Sequence, residues 1–380
     1  MKIDIIERYI DRLLAESTPA CPLWNVERLR SGERPKWNYI DGCMMIALLR
    51  LYERTGDDRF YRFVHDYLDT LVDDEGGLLG YKEETYNLDN ILCGNALIDV
   101  YKASGEEKHK KAIEALLSQL KNHPRTREGN YWHKKIYPYQ VWLDGLYMAQ
   151  VYRARWEKYF GDGSSYEDIF MQFKNVRKYM FDEDKKLYRH CYDSSKKIFW
   201  ADDKGLSQNV WLRAVGWYAA ALTDTIEAFP EELAEEKRWL KGLLKELFEG
   251  IMPYLDKESG MFLQVVDYPK GDGNYPETSG SALLSYAMMK STRMGFADDS
   301  WRRNGTELFI NICRNYLKEV DGGLSLGGIC LTAGLGPEDN QHRDGSYAYY
   351  ISEPIVENDA KGIAPFLYCY AESLYIDPLK

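Results

Sequence analysis

Apolar residues recur at three- and four-residue spacing through about twelve successive stretches of this chain, each of helix length. The stretches lie near residues 2–16, 41–54, 58–72, 90–103, 107–120, 140–158, 165–180, 208–228, 233–254, 280–294, 298–318 and 360–375. They alternate in character. Met44–Leu49, Ala219–Leu222 and Ile363–Tyr370 are largely apolar, whereas Glu106–Leu120 and Glu235–Leu247 carry charged faces. A helix that is apolar all round has to be buried, and an amphipathic one has to meet water on one side. Repetition of such pairs predicts an inner ring of six helices inside an outer ring of six. The expectation is an all-α fold, an (α/α)6 barrel or six-hairpin toroid with short rim strands, in one domain over residues 1–380.

The register of the pattern supports the ring. Asp41-Gly42, Asp89-Asn90 and Asp144-Gly145 open three inner segments, which close at Thr55-Gly56-Asp57, Ser104-Gly105-Glu106 and Phe160-Gly161-Asp162. Glycine followed by an acidic residue ends one helix and starts the next. Arg213 with Gly216, Ser279-Gly280, and Asp359 with Gly362 take comparable positions later in the chain. Stacked around an axis, these units bring the inner-helix starts to one mouth. Gly76–Tyr81, Lys186–Tyr192, Gly260–Val266 and Gly322–Leu326 read as strands and turns on its rim. Asp-Gly between apolar runs also suits a β-hairpin turn. Leu146, Ala149, Tyr152 and Trp156 continue at helical spacing, so the helix is preferred.

Composition removes several function classes. Lys plus Arg number 49 against 60 Asp plus Glu, a formal charge of −11, and no local basic run offers a nucleic-acid footprint. The longest apolar stretches, such as Cys43–Leu49, fall far short of the roughly 18 residues that span a bilayer. The N-terminal Met1–Arg8 has acids where a signal peptide needs an apolar run. The 7 cysteines are scattered, with no C-x-x-C pair. A cytoplasmic protein without disulfides or a zinc cage is expected. The 30 Tyr and 10 Trp combine flat apolar faces with polar edges, as sugar rings do, and tilt the expectation towards a carbohydrate ligand.

Asp144 stands out among the acids, set between Trp142-Leu143 and Leu146-Tyr147-Met148. A carboxyl there loses hydration, which favours the protonated form and suits it to carry a proton. A helix cap is the bland alternative. Asp89 holds the equivalent position one repeat earlier, so the two form a candidate acid/base pair. His190 lies in a rim segment. Arg213 and Trp217, four residues apart and preceded by Trp211, share a helix face that would suit a carboxylated ring, unless the Arg merely bridges carbonyls within a Trp-lined core. His133-Lys134 adds cationic groups just before Asp144. The remaining histidines, His65, His109, His123 and His342, show no metal-ligand spacing, so no metal is expected. P-loop and G-x-G-x-x-G patterns are lacking as well.

Five ordered blocks give a family resemblance over nearly the whole chain. Trp142–Ala149, the His190/Asp193 segment, Trp211–Trp217, Glu277–Ala282 and Asp344–Gly362 resemble glycoside hydrolase family 105. These are unsaturated rhamnogalacturonyl hydrolases of pectin degradation, with an (α/α)6 barrel. The resemblance implies a glycosidase acting on a 4,5-unsaturated uronic acid left by a lyase. Such an enzyme hydrates the vinyl ether rather than attacking the anomeric carbon. By the same resemblance Asp144 is the general acid/base and Asp89 its partner carboxylate. His190, Arg213, Trp217, His133 and Lys134 would hold the sugar and its carboxylate, with Trp142, Trp211 and Tyr39 as walls. No cofactor is implied. The partner expected is a small unsaturated oligosaccharide, with neither nucleic acid nor membrane, acted on by a monomer or homodimer.

Three other readings compete. The related family 88 implies an unsaturated glucuronyl hydrolase on ulvan or glycosaminoglycan fragments. A sugar 2-epimerase on a similar toroid would use a histidine pair, for which His133 and His190 are available, although the Asp-centred motifs argue against it. A non-catalytic carbohydrate-binding toroid would keep the aromatic walls but has no use for Asp144 in an apolar setting.

Overall fold

The computed structural model describes residues 3–320 and 323–375. Six inner helical units occupy Tyr39–Thr55, Asp89–Leu92 with Gly94–Ser104, Leu143–Gly145 continuing to Tyr159, Leu212–Ala228, Thr278–Arg293 and Ala360–Ser373. Each packs on the next, and Ala360–Ser373 packs back on Tyr39–Thr55, closing the ring. Five outer helices, Asp58–Leu71, Glu107–Asn122, Tyr166–Met180, Ala234–Ile251 and Asp299–Tyr316, each cover the inner unit before them. The sixth is the N-terminal helix Ile3–Glu16, whose Tyr9 meets Phe366 edge-on at 6.4 Å. The expected (α/α)6 toroid is the observed architecture.

The two rings differ as the apolar pattern requires. Leu212–Ala228 is buried along nearly its whole length, whereas Asp299–Tyr316 buries only Gly305, Leu308, Phe309 and Ile312. Inner helices approach closely where a side chain is missing. A Cβ on Gly280 would stand 2.4 Å from Leu212 Cγ and 2.9 Å from the Arg213 nitrogen. Gly56 and Gly105 end their helices in the left-handed conformation, at φ 70° and 69°. The third stop, near Gly161, works without one: its helix ends at Tyr159 with Phe160 at the cap.

Several expected boundaries shift, and the rim explains most of the shifts. Residues 140–142 were expected to be helical. Gln140–Trp142 instead forms a strand antiparallel to Cys191–Asp193, so its backbone groups are spent on the ladder before the helix starts at Leu143. Residues 208–211 leave the helix expected from 208 for the same reason: Val266 N donates to the Val210 carbonyl, and Trp211 bridges Val265. Of the expected rim strands, Leu187–Tyr188, Cys191–Asp193 and Gly323–Leu326 form. Gly76–Tyr81 and Gly260–Val266 give only isolated bridges and turns. Lys2 and Gly322, at the ends of two expected elements, lie outside the described residues. No helix among the described residues is long and apolar enough to cross a membrane.

Candidate active site

All six inner units start at one mouth, and the polar residues collect there. The Gln140–Trp142 strand does the main positioning. It pairs Trp142 with Cys191, and Leu143 N donates to the His190 carbonyl at 3.2 Å. Asp144 and His190 therefore leave the ladder side by side, with Asp144 Oδ2 and His190 Nε2 3.4 Å apart. Both atoms are buried and lack a hydrogen-bond partner among the described residues. On its other edge, His190 Nδ1 meets the Tyr350 hydroxyl at 2.7 Å. Burial holds that phenol well above its ordinary pKa, so it keeps its proton. When it donates to Nδ1, the ring proton sits on Nε2 and faces Asp144.

Asp89 is arranged differently. It opens its helix at the same mouth, with Lys134 Nζ 2.6 Å from Oδ2 and His133 Nε2 3.3 Å from Oδ1. Burial pushes its carboxyl up, but Lys134 and His133 outweigh burial and hold it well below the usual carboxylate range. Lys134 is in turn held above its ordinary value: burial lowers it and Asp89 more than compensates. Asp89 is thus a fixed anion at neutral pH, while among the described residues Asp144 pairs with no lysine or arginine and meets only the imidazole of His190.

Aromatic rings enclose this pair of acids. The His133 ring stacks on Trp142 at 4.5 Å with 8° between planes, and Tyr137 stacks on Trp142 at 5.0 Å and on His133 at 6.4 Å. Gly145 makes this possible, because a Cβ there would stand 3.3 Å from His133 Nδ1 and 3.1 Å from Leu88 Cδ1. Beyond it, Leu146–Gln150 is wound as a π-helix, a departure often found at functional sites. Trp211 lies 4.8 Å from His190, and the Arg213 guanidinium stacks over Trp211 at 4.7 Å. Arg213 is buried; its Nη1 donates to Ser279 Oγ at 3.1 Å and to the Cys330 carbonyl at 2.6 Å. The carbonyl-bridging alternative for Arg213 is therefore present in its contacts. Tyr39, half-buried at the start of its helix, is pushed well above its ordinary pKa by burial, with the charges of Glu27 and Asp89 adding and Arg213 opposing.

Sequence reasoning thus named residues that the fold brings together: Asp89 with His133 and Lys134, and Asp144 with His190, Trp142 and Trp211. Trp217 stands apart from these contacts, buried and stacked on Tyr147 at 4.8 Å. Tyr350, Tyr137, Gln140 and Ser279 were not singled out as site residues. Tyr350 lies within the Asp344–Gly362 block, where its partner His190 is far away in sequence. A cleft of about 1000 Å³ opens beside the site, between Tyr137–Gln140, Ser195–Ile198 and Pro337–Asn340. A smaller cavity of about 400 Å³ lies at the opposite end of the ring. Its lining charges pair with one another, as in Arg50–Asp224 at 2.7 Å and Arg155–Asp99 at 2.5 Å, which leaves it less suited to binding an anionic sugar.

The segment carrying His133 is braced by a neutral histidine. His123 Nε2 donates to the Trp132 carbonyl at 2.7 Å, and burial lowers its pKa from 6.5 to about 4. A folded-state pKa below the unfolded one gives stability that is complete above pH 6.5 and is lost as pH falls towards about 4. At roughly 1.4 kcal/mol per unit, the loss is about 3 kcal/mol. Denaturant unfolding near neutrality and at about pH 4.5 should show His123→Gln with a smaller loss than the unsubstituted chain. Equal losses would refute the assignment.

The chain is similar to several known proteins. Residues 11–376 match the family model described as Glycosyl Hydrolase Family 88. A solved glycoside hydrolase from family 105 of C. acetobutylicum is 37% identical, with TM-score 0.87, covering 96% of this chain and 99% of that one. The 24.9 kDa protein in picA locus of Rhizobium radiobacter is 36% identical over 196 residues, 50% of this chain and 83% of that protein. Unsaturated rhamnogalacturonyl hydrolase YesR of Bacillus subtilis is 24% identical over 264 residues, 68% of this chain and 72% of its own length.

Proposed function

Because the chain belongs to Glycosyl Hydrolase Family 88, with a family 105 enzyme as a near-full-length relative, we propose that it removes a 4,5-unsaturated galacturonic acid from the non-reducing end of lyase-generated rhamnogalacturonan oligosaccharides. The chain is an unsaturated glycosyl hydrolase. The galacturonyl-rhamnose substrate draws support from YesR, whose name states that activity. The observation that carries the chemistry is the contrast between the two acids: Asp89 is an anion paired with Lys134 and His133, whereas Asp144 Oδ2 is buried, has no hydrogen-bond partner among the described residues and lies 3.4 Å from His190.

In this reading Asp144 delivers a proton to C4. The C4=C5 π electrons form the new C–H bond, and the ring oxygen stabilises the cation left at C5. Water adds at C5 and returns its surplus proton to a carboxylate, which restores the acid. The resulting hemiketal opens to a ketone, and the hemiacetal at C1 collapses to an aldehyde and expels the aglycone alcohol. Addition of water to an enol ether needs acid and base alone, so no cofactor enters. Asp89 with His133 and Lys134 orients the ring hydroxyls, His190 and Arg213 meet the uronate, and Trp142, Trp211 and Tyr39 form the walls. Trp217 stacks on Tyr147, which lines the cavity at the opposite end of the ring. The adjoining cleft of about 1000 Å³ receives the aglycone. We place the reaction in the cytoplasm, in one domain, in a monomer or homodimer.

The test is direct. Lyase-generated unsaturated galacturonyl-rhamnose should lose its alkene absorbance when the protein is added. In deuterated water the early product should carry deuterium at C4, with a product-only control for later exchange. Saturated galacturonyl-rhamnose should survive. Efficient cleavage of the saturated disaccharide would overturn the mechanism. Turnover confined to unsaturated glucuronyl fragments of ulvan or glycosaminoglycans would overturn the substrate.

A further inference from the structure

A second cluster of ligating side chains lies on the outer wall, where the helices Asp58–Leu71 and Glu107–Asn122 run side by side. His65 and Asp69 are four residues apart on the first helix, so they share a face. Glu106 and His109 are three apart at the start of the second, with the same consequence. Sequence spacing alone offers no metal-binding pattern here, because the two halves lie far apart in the chain. Folding supplies it.

His65 Nε2 lies 2.8 Å from Glu106 Oε1, and His65 Nδ1 lies 3.5 Å from Asp69 Oδ2. One ligand atom from each of His65, Asp69 and Glu106 falls within 4.8 Å of the others. His109 is the independent observation. Its side chain is 0% exposed, and Nε2 points to Asp69 Oδ1 at 3.9 Å. Both of its ring nitrogens are buried without a hydrogen-bond partner among the described residues. Leaving a buried polar atom unpaired costs about 1–3 kcal/mol, a cost that a ligand at that edge would remove. The two imidazole planes meet at 88° with centroids 6.0 Å apart, so the rings approach the acids from different directions.

Charge points the same way. Asp69 and Glu106 bring two negative charges, and Asp66 adds a third at 3.8 Å from His65 Nδ1. The cation present is Lys108, with Nζ 2.7 Å from Asp69 and 3.4 Å from Glu106. A single ammonium leaves the pair of carboxylates under-neutralised, whereas a divalent ion with two neutral imidazoles balances them.

We propose that His65, Asp69, Glu106 and His109 form a site for a divalent transition-metal ion of the zinc class, which displaces the Lys108 ammonium and ties the two outer helices together. Two nitrogens and two carboxylate oxygens suit tetrahedral zinc. Drawing the ligands in requires rotation of Asp69 and withdrawal of Lys108, both partly exposed to solvent, and release of the His65 Nε2–Glu106 hydrogen bond. The site is independent of the sugar chemistry. It lies past the end of the helix Gly94–Ser104, at the opposite end of that inner unit from Asp89.

The experiment uses the full chain stripped with a chelator. Zinc binding is measured by calorimetry, and cobalt(II) serves as the coloured probe of tetrahedral nitrogen–oxygen ligation. The expected result is one equivalent of zinc, a visible cobalt band and a raised melting temperature. His65→Ala and His109→Ala should each weaken zinc binding by about tenfold or more, and Lys108→Met should strengthen it. Hydrolase activity should be unchanged in all three. Should His109→Ala fail to fold, Glu106→Gln reads the same site from the helix start. Zinc uptake that is absent, or equal in the unsubstituted chain and the His65→Ala and Glu106→Gln variants, would overturn the proposal and leave Lys108 as the permanent counter-ion.

Discussion

Asp144→Asn is expected to lower turnover by about 10²–10⁴-fold while the melting temperature stays within error of the unsubstituted protein. The amide preserves the size of the side chain and its place beside His190, so the fold and the bound sugar keep their contacts. It cannot carry the proton that C4 requires. Asp144 Oδ2 makes no hydrogen bond among the described residues, so little stability is lost with the carboxylate. Initial rates from the alkene absorbance, together with direct substrate binding to the variant, separate the two effects. Retention of more than about half the activity would remove Asp144 from the chemistry.

Asp224→Ala should do the reverse and cost the fold about 3–5 kcal/mol. This acid lies on the inner helix Leu212–Ala228, at the end opposite the candidate site, and is 4% exposed. Arg50 stands 2.7 Å away, Lys290 2.8 Å and the Tyr286 hydroxyl 2.5 Å. Burial pushes its carboxyl up, yet Arg50 and Lys290 outweigh burial and hold it far below the usual range. Its contribution is therefore complete above the unfolded carboxyl pKa and is lost only in strong acid, as pH falls towards the depressed folded value. Removing it leaves Arg50 without its carboxylate and Lys290 with Glu227 alone, in a largely buried setting, which is why the cost exceeds that of a surface pair. Denaturant unfolding at neutral pH measures the loss. A change below about 1 kcal/mol would show that Arg50 and Lys290 find other partners. The two substitutions together distinguish an acid kept for chemistry from one kept for the fold.

The twelve helices were legible because burial writes itself into sequence locally. A helix enclosed by others must be apolar on all sides, and Leu212–Ala228 and Ala360–Ser373 could be placed in the inner ring on that ground alone. The mouth was legible as a recurring position, with Asp89, Asp144 and Arg213 at matching helix starts. The rim was misread where helical periodicity ran into it. The apolar residues Val141 and Trp142 fit a helix and a strand equally well over so short a span, and only the partner strand Cys191–Asp193 decides between them.

The sequence by itself determined the ring, the inner and outer faces and the level at which polar residues gather, since each follows from periodicity within one helix. What the tertiary structure decided is which groups meet across that level. Lys134 reaches Asp89, Tyr350 reaches His190, and His109 turns a lone buried imidazole towards Asp69, all between residues distant in the chain. Coulombic and hydrogen-bonding effects fall off over a few ångströms. Chain spacing carries no record of such distances, so the different electrostatic settings of Asp89 and Asp144 emerge only once the ring has closed.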